Sequence, residues 1–139
     1  MAIKFKAVLK TEPGVPGGGV RKYYAKIVYD SVVTIDEIVK EIEKFSALSE
    51  PDIHGVIIAL ENVVQDKLLA SRIVRFNRLG NLYPTLHSSG VETEEEVQHT
   101  IIKRAGIRYL PGDRLKALLK ATKYTKVEFT TPPPPTPTP

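Results

Sequence analysis

The chain has 139 residues, of which 42% are hydrophobic, and its formal net charge is +4 at pH 7. A chain of this length and composition is expected to fold as one globular domain. Its lack of cysteine excludes disulfides and thiolate zinc sites and is typical of a cytoplasmic protein. No run of about 18 apolar residues occurs, and the first residues lack the apolar stretch of a signal peptide, so neither a membrane span nor a secretion signal is predicted.

The first thirty residues predict a β-hairpin. Residues 3–9, IKFKAVL, alternate between charged and apolar side chains, and residues 21–29, RKYYAKIVY, are rich in tyrosine and β-branched residues. The Pro/Gly-rich segment 11–19 predicts a flexible connection between these two strands. Its glycines are not followed by the Lys-Ser/Thr pair and helix of a phosphate-binding P-loop, so we do not expect a nucleotide site.

Two helices are predicted next, each opened by a capping box. Thr34 and Glu37 have the spacing of the first box, and Ser49 and Asp52 have that of the second. The first helix has an apolar stripe of Ile35, Ile38, Val39, Ile42 and Phe45. The second has a wider apolar surface, formed by Ile53, Val56, Ile57, Ile58, Leu60, Val63, Val64, Leu68 and Leu69. One short partner helix cannot cover this surface, which predicts burial in a dimer.

The second half of the chain predicts a sheet and a last helix. RIVRF (72–76) and LYPTL (82–86) are expected strands, and Pro84 indicates an edge or a bulge. The polar, acidic residues 88–96 are expected to lead into a short helix from Thr93 to Thr100. A third strand, IIKRAGIRYL, precedes a helix, RLKALLKA, whose Leu115, Leu118 and Leu119 are expected to face inward. Residues 130–139 predict an extended, disordered, proline-rich tail.

Charge is distributed unevenly along the chain. Residues 34–70 contain three lysines and eight acidic residues, a net charge of −5. Residues 71–91 contain three arginines and no acidic residue, and residues 101–126 have a net charge of +7 from eight basic residues and one acid. This polarity predicts a surface that binds a polyanion. The alternative is that the basic elements neutralise the acidic helices within the fold.

No catalytic or metal site is predicted. His54, His87 and His99 lie on three different elements without metal-ligand spacing. Ser88 and Ser89 adjoin His87, but no acidic residue is placed to orient that histidine. The acidic residues 92–96 lack the ligand spacing of a calcium loop. We therefore expect a protein that is not an enzyme and has no cofactor.

The order of elements from Thr34 to Lys120 resembles the bacterial histone-like DNA-binding family of HU and integration host factor. Residues 78–82, Arg-Leu-Gly-Asn-Leu, stand where the family has a Gly-Phe-Gly-Thr-Phe turn, and residues 109–113, Tyr-Leu-Pro-Gly-Asp, stand where it has Phe-Arg-Ala-Gly-Lys. The matching residues are Gly80, Gly112, Leu115 and Lys116. The N-terminal hairpin and the ending KATKYTKV are similar to a longer HU-related group of Bacteroides-type bacteria.

The resemblance implies an α+β, HU/IHF-like fold over residues 1–129. In this fold the helices build an intertwined homodimer and an antiparallel sheet forms a saddle for DNA. It also implies a nucleoid-associated protein that binds duplex DNA through phosphates with little sequence preference. The residues expected to contact DNA are Arg72, Arg75, Arg78, Lys103, Arg104, Arg108, Arg114 and Lys116.

The sequence departs from the family pattern in two places. The family extends a long β-arm with an Arg-Asn-Pro tip, whereas here the corresponding segment is short and acidic. Leu110 and Asp113 occupy positions where the family has basic residues. These departures favour an alternative function, a dimeric HU-like interaction module that has lost DNA binding and engages a protein through the proline-rich tail or the N-terminal hairpin.

Overall fold

A computed structural model describes residues 1–128 of the chain. These residues form two compact units. The first contains Met1–Val32 together with residues 121–128, and the second is Val33–Lys120. The predicted proline-rich tail, residues 130–139, lies outside the described residues.

The first unit is a three-stranded sheet built around the predicted hairpin. Strand β1 (Ala2–Lys10) pairs antiparallel with β2 (Lys22–Ile27), which confirms the hairpin, although β2 ends two residues earlier than expected. A third strand, β6 (Lys123–Lys126), pairs parallel with the other edge of β1, giving the order β2-β1-β6. Strand β6 was not predicted from the sequence.

The second unit begins with the two predicted helices. Helix α1 spans Ile35–Phe45 and helix α2 spans Glu50–Leu69. At the start of α1, Thr34 Oγ1 accepts the Glu37 N–H at 3.4 Å, and the Glu37 carboxylate accepts the Thr34 N–H at 3.1 Å. These reciprocal bonds satisfy two backbone N–H groups and confirm the first capping box.

Helix α2 is capped by Ser49 and Asp52. The Asp52 carboxylate accepts the Ser49 hydroxyl at 2.6 Å and the Ser49 N–H at 3.4 Å. Pro51 fits within the first turn, where its missing N–H has no helical partner to lose.

Among residues 1–128, no helix is both long and apolar enough to cross a membrane.

The buried core of the described residues is very small. Within the described residues, the only buried apolar side chains are Val39, Ile53 and Leu68. His54 Nε2 lies 3.4 Å from Asp36 Oδ1, joining α2 to the start of α1. Most of the predicted apolar stripes remain exposed; Phe45, for example, keeps 88% of its surface accessible. A single chain therefore covers only a small part of its helical apolar surface.

The second sheet has the order β3-β4-β5, with both pairs antiparallel. Its strands are β3 (Val74–Arg75), β4 (Asn81–Ser88) and β5 (Ile102–Leu110). The first strand is shorter than the predicted 72–76, because the Phe76 N–H donates to Gly80 O and thereby begins the turn. Pro84 lies beyond the part of β4 that pairs with β3, so its missing N–H disrupts no described β3–β4 pairing.

Two expectations for the C-terminal part are wrong. Instead of a helix from Thr93 to Thr100, the chain forms two short 3₁₀ turns, Glu94–Glu96 and His99–Ile101, because the intervening residues are extended. Helix α3 forms over Asp113–Lys120 as expected. Its leucines do not all face a core: within residues 1–128, Leu118 and Leu119 are 57% and 51% exposed.

A candidate nucleic-acid interface

The pairing register divides the second sheet into two chemically different faces. Residues directly opposite each other on neighbouring strands share a face, and the face alternates along each strand. Arg75 is opposite Asn81, Tyr83 is opposite Arg108, and His87 is opposite Arg104. One face, called here the arginine face, consists of Arg75, Asn81, Tyr83, Thr85, His87, Arg104, Gly106, Arg108 and Leu110.

The arginine face has no acidic residue. Arg75, Arg104 and Arg108 are exposed, and none of them forms an ion pair with any residue of the described chain. Because their charges are not neutralised by neighbouring carboxylates, this face presents an uncompensated positive potential to solvent.

Gly106 leaves a depression in the middle of this face. It lies opposite Thr85 and between Arg104 and Arg108 along β5. A Cβ at this position would approach Thr85 Oγ1 to 3.0 Å. The surrounding hollow, which also borders His87, has a volume of about 360 Å³. The two arginines are four residues apart, or roughly 14 Å along the strand, so they can contact different phosphates.

Lys103 lies at a β-bulge. His87 is paired with Arg104, whereas Ser88 is paired with Ile102, so Lys103 is the extra residue of β5. A bulge changes the direction of the side chains around it. Lys103 thus lies next to Arg104 at the far end of the arginine face.

The other four predicted contact residues are not on the strands. Arg72 follows α2, where its N–H donates to Lys67 O at 3.0 Å. Arg78 lies in the turn between β3 and β4, and Arg114 and Lys116 lie on α3. All four are exposed. The sheet itself therefore collects only half of the predicted basic residues.

The turn after β3 is fixed by residues that sequence reasoning assigned no structural role. The Tyr109 hydroxyl donates a hydrogen bond to the Leu79 carbonyl. Gly80 has a φ of +123°, and a Cβ there would lie 2.7 Å from the Tyr109 ring and would also clash with the Leu110 carbonyl. A Cβ on Gly112 would clash with the Asn77 carbonyl and lie 2.7 Å from Arg78 O. The two glycines of the family motifs thus allow the turn to contact the end of β5.

Tyr83, Thr85 and His87 are polar residues of the arginine face that the sequence prediction missed. They could have been found by writing β4 and β5 as an antiparallel pair and reading alternate positions. The pairing depends on the connection between the strands, which the sequence did not define.

The opposite face of the sheet is apolar. It consists of Val74, Leu82, Pro84, Leu86, Ala105, Ile107 and Tyr109. The end of α2, with Leu68 and Leu69, borders this face and leaves a groove of about 840 Å³. Leu86 and Ile107 are still 69% and 63% exposed, so α2 of the same chain covers the face only in part.

The described residues contain no group of three His, Asp or Glu side chains arranged to hold a metal ion. Two capped helices, a three-stranded antiparallel sheet with a basic face and a short final helix define an α+β, HU-like protein.

Residues 1–126 match the model of the HU-HIG family, described as an HU domain fused to wHTH, Ig or a glycine-rich motif. The chain belongs to this family, which confirms the HU-related resemblance. The crystal structure of a candidate bacterial DNA-binding protein from Bacteroides vulgatus has the same fold, with a TM-score of 0.68 at 14% sequence identity. The match covers 94% of this chain and 50% of that one, so this chain spans about half of that protein. No curated protein matches the chain.

Proposed function

We propose that this protein binds duplex DNA through its phosphates, with little sequence preference and without catalysing a reaction. The observation that carries the proposal is the arginine face, where three unpaired arginines share one surface with no acidic residue. Membership of an HU family supports it, as does the fold shared with a protein described as a candidate DNA-binding protein. The protein would then act at the nucleoid.

The chemistry of the face fits a phosphate backbone better than base edges. Arginine binds phosphate through two parallel N–H groups, and the hydroxyls of Tyr83 and Thr85 can donate to the same oxygens. The arginines stand on a sheet surface rather than on a helix shaped for the major groove. Contacts of this kind depend on charge and position, so affinity should vary little with sequence.

A homodimer would double this face and cover the exposed helices. On α2, Val56 and Leu69 are 60% and 87% exposed, and Ile58, Leu60 and Val63 are about half exposed. Burying these five side chains would contribute on the order of 5 kcal/mol per chain. The apolar face of the second sheet adds to the surface that a second copy can cover.

The direct test is a salt titration of duplex binding with paired variants. Three arginines per chain give six phosphate contacts per dimer, so the arginine face should contribute about −5 to the slope of log K against log salt. Replacing Arg104 and Arg108 with alanine should reduce this contribution to about −2 and weaken binding to all sequences alike. Lys40→Ala with Lys44→Ala removes the same charge from α1 and should leave the slope within about one unit.

Two results would contradict the proposal. One is a wild-type protein that binds no duplex at about 50 mM salt. The other is an Arg104/Arg108 variant that binds as well as the α1 control, because the arginine face would then contribute only its net charge.

One observation favours the alternative function of a protein-interaction module. The segment that closes the β4–β5 hairpin carries Glu92 and Glu94–Glu96, all exposed, where a DNA-gripping arm would need positive charge. If duplex binding is absent while the protein is a stable dimer, this module becomes the better account.

A further inference from the structure

The first sheet also has two chemically different faces. Along β1, the residues Lys4, Lys6, Val8 and Lys10 alternate with Ile3, Phe5, Ala7 and Leu9. Pairing adds Lys22, Tyr24 and Lys26 from β2 and Lys123 and Thr125 from β6 to the first set. This set, called here the lysine face, thus contains six lysines and no acidic residue on its strands.

The unit that carries this face accounts for the net positive charge of the molecule. Residues 1–32 with 121–128 contain eight basic and three acidic residues, a net charge of +5. Val33–Lys120 contains twelve basic and thirteen acidic residues, a net charge of −1. The excess charge of the chain therefore lies in the first unit, which contains none of the residues that the HU resemblance singled out.

Like charges stand directly opposite each other on this face. Lys6 is paired with Lys26, and Lys10 is paired with Lys22. Such cross-strand pairs of like charge destabilise a sheet. A stable hairpin needs no such arrangement, because alternating charges would keep the face equally soluble.

The acidic residues of the unit neutralise only part of the face. Asp30 accepts Lys4 at 2.8 Å, and Glu12 accepts Lys22 at 2.7 Å. Glu128 lies beyond the end of β6. Lys10, Lys26 and Lys123 are exposed and form no ion pair within residues 1–128. These three lysines, one on each strand, are available to an external anion.

We propose that the lysine face is a second phosphate-contacting surface, which lengthens the stretch of duplex DNA that one molecule engages. The proposal rests on the duplex binding proposed above, and it adds a surface outside the HU-like sheet. Lysine is a compact point charge that contacts backbone phosphates without reading bases. The bulky apolar and aromatic residues on the face, Val8 and Tyr24, are half-buried, so the face offers no large side chain to insert into a membrane.

The test compares three variants of the full chain in duplex titrations over a range of salt. The lysine-face variant is Lys10→Gln, Lys26→Gln and Lys123→Gln, which keeps a polar side chain of similar size and removes three charges. The matched control is Lys40→Gln, Lys44→Gln and Lys67→Gln on α1 and α2, which removes the same charge. The third is the Arg104/Arg108 variant of the arginine face.

We expect the lysine-face variant to flatten the log–log salt slope by at least about 2 and to weaken binding at least tenfold at about 100 mM salt. The control should change affinity less than about threefold. A series of duplexes of increasing length gives a second readout. The affinity of the wild-type protein should keep rising with duplex length after the affinity of the lysine-face variant has reached a plateau, because only wild type has the additional contacts.

The outcomes separate this proposal from the one on which it rests. If the lysine-face variant behaves like its control while the Arg104/Arg108 variant loses binding, the second surface is refuted and the arginine face stands. If only the lysine-face variant loses binding, the lysine face is the interface and the arginine face is refuted. If the lysine-face variant keeps duplex binding but loses binding to phosphatidylserine vesicles, the face recognises a membrane surface and the proposal is overturned.

Discussion

Gly80→Ala should be among the most damaging small substitutions in this protein. The added Cβ would lie 2.7 Å from the Tyr109 ring, whereas ordinary contacts begin at 3.4 Å, and it would press harder still on the Leu110 carbonyl. Relieving such overpacking costs about 1–3 kcal/mol. The φ of +123° adds about 1–3 kcal/mol for a residue with a side chain. We take about 3 kcal/mol as the expected loss of unfolding free energy, near the lower end of the sum.

Thermal unfolding followed by circular dichroism measures this loss. At about 3 °C per kcal/mol for a chain of this size, the Tm should fall by roughly 10 °C. Gly90→Ala is the control, because nothing lies within 4 Å of a Cβ there. It should stay within about 0.5 kcal/mol of wild type. If the Gly80 and Gly90 variants melt together, the turn does not contact β5 as described, and the structural reason given for the family glycine is wrong.

Two further predictions concern the assembly and the tail. Light scattering after gel filtration should give about twice the chain mass of 15.4 kDa, and a monomer at micromolar concentration would reject the homodimer. Leu60→Asp should unfold the protein, because it places an unpaired charge in the proposed interface at a cost of several kcal/mol. Deleting residues 131–139 should change the Tm by no more than about 2 °C, since proline-rich sequence cannot donate to a sheet, and a larger fall would show that the tail contacts the fold.

The helices could be predicted in detail because their signals are local. Thr34 and Glu37 lie three residues apart, and the apolar periodicity that follows is read within a few turns. The same periodicity shows which face of a helix is apolar, but it does not show which element packs against that face. It therefore predicted inward-facing Leu118 and Leu119, whereas the single chain leaves both half exposed.

The sheets were harder to predict because their pairing is non-local. Alternation predicted β4 and β5, but the register between them is set across residues 89–101, and only the register shows that Arg104 and Arg108 share a face with Arg75. Strand β6 pairs with a strand more than a hundred residues earlier, and four polar residues carry no signal for such a partner. The lysine face was missed for the same reason: it depends on which residues of three strands align.

The end of the β4–β5 hairpin decides whether this protein can bend DNA strongly. Strand β4 ends at Ser88 and β5 begins at Ile102, and the connection between them contains two 3₁₀ turns. Thr93 Oγ1 donates a hydrogen bond to the Glu96 carboxylate at 2.9 Å, which stabilises the acidic turn from within. Proteins of this class kink DNA by inserting an apolar wedge, and positive charge must bring that wedge into the minor groove. Here the same position carries four glutamates between residues 92 and 96 and no proline.

Bending by this protein should therefore be weak even where binding is tight. Each glutamate that approached a phosphate would add repulsion rather than release a counterion, so the hairpin end should stay away from the duplex. A circularisation assay on short fragments should show little increase in ring closure at a protein concentration that saturates binding. Replacing Glu94, Glu95 and Glu96 with lysine should tighten duplex binding. The difference in affinity between curved and straight fragments should fall only slightly, because the wedge is still absent. Strong ring closure by the wild-type protein would show that another part of the chain enters the groove.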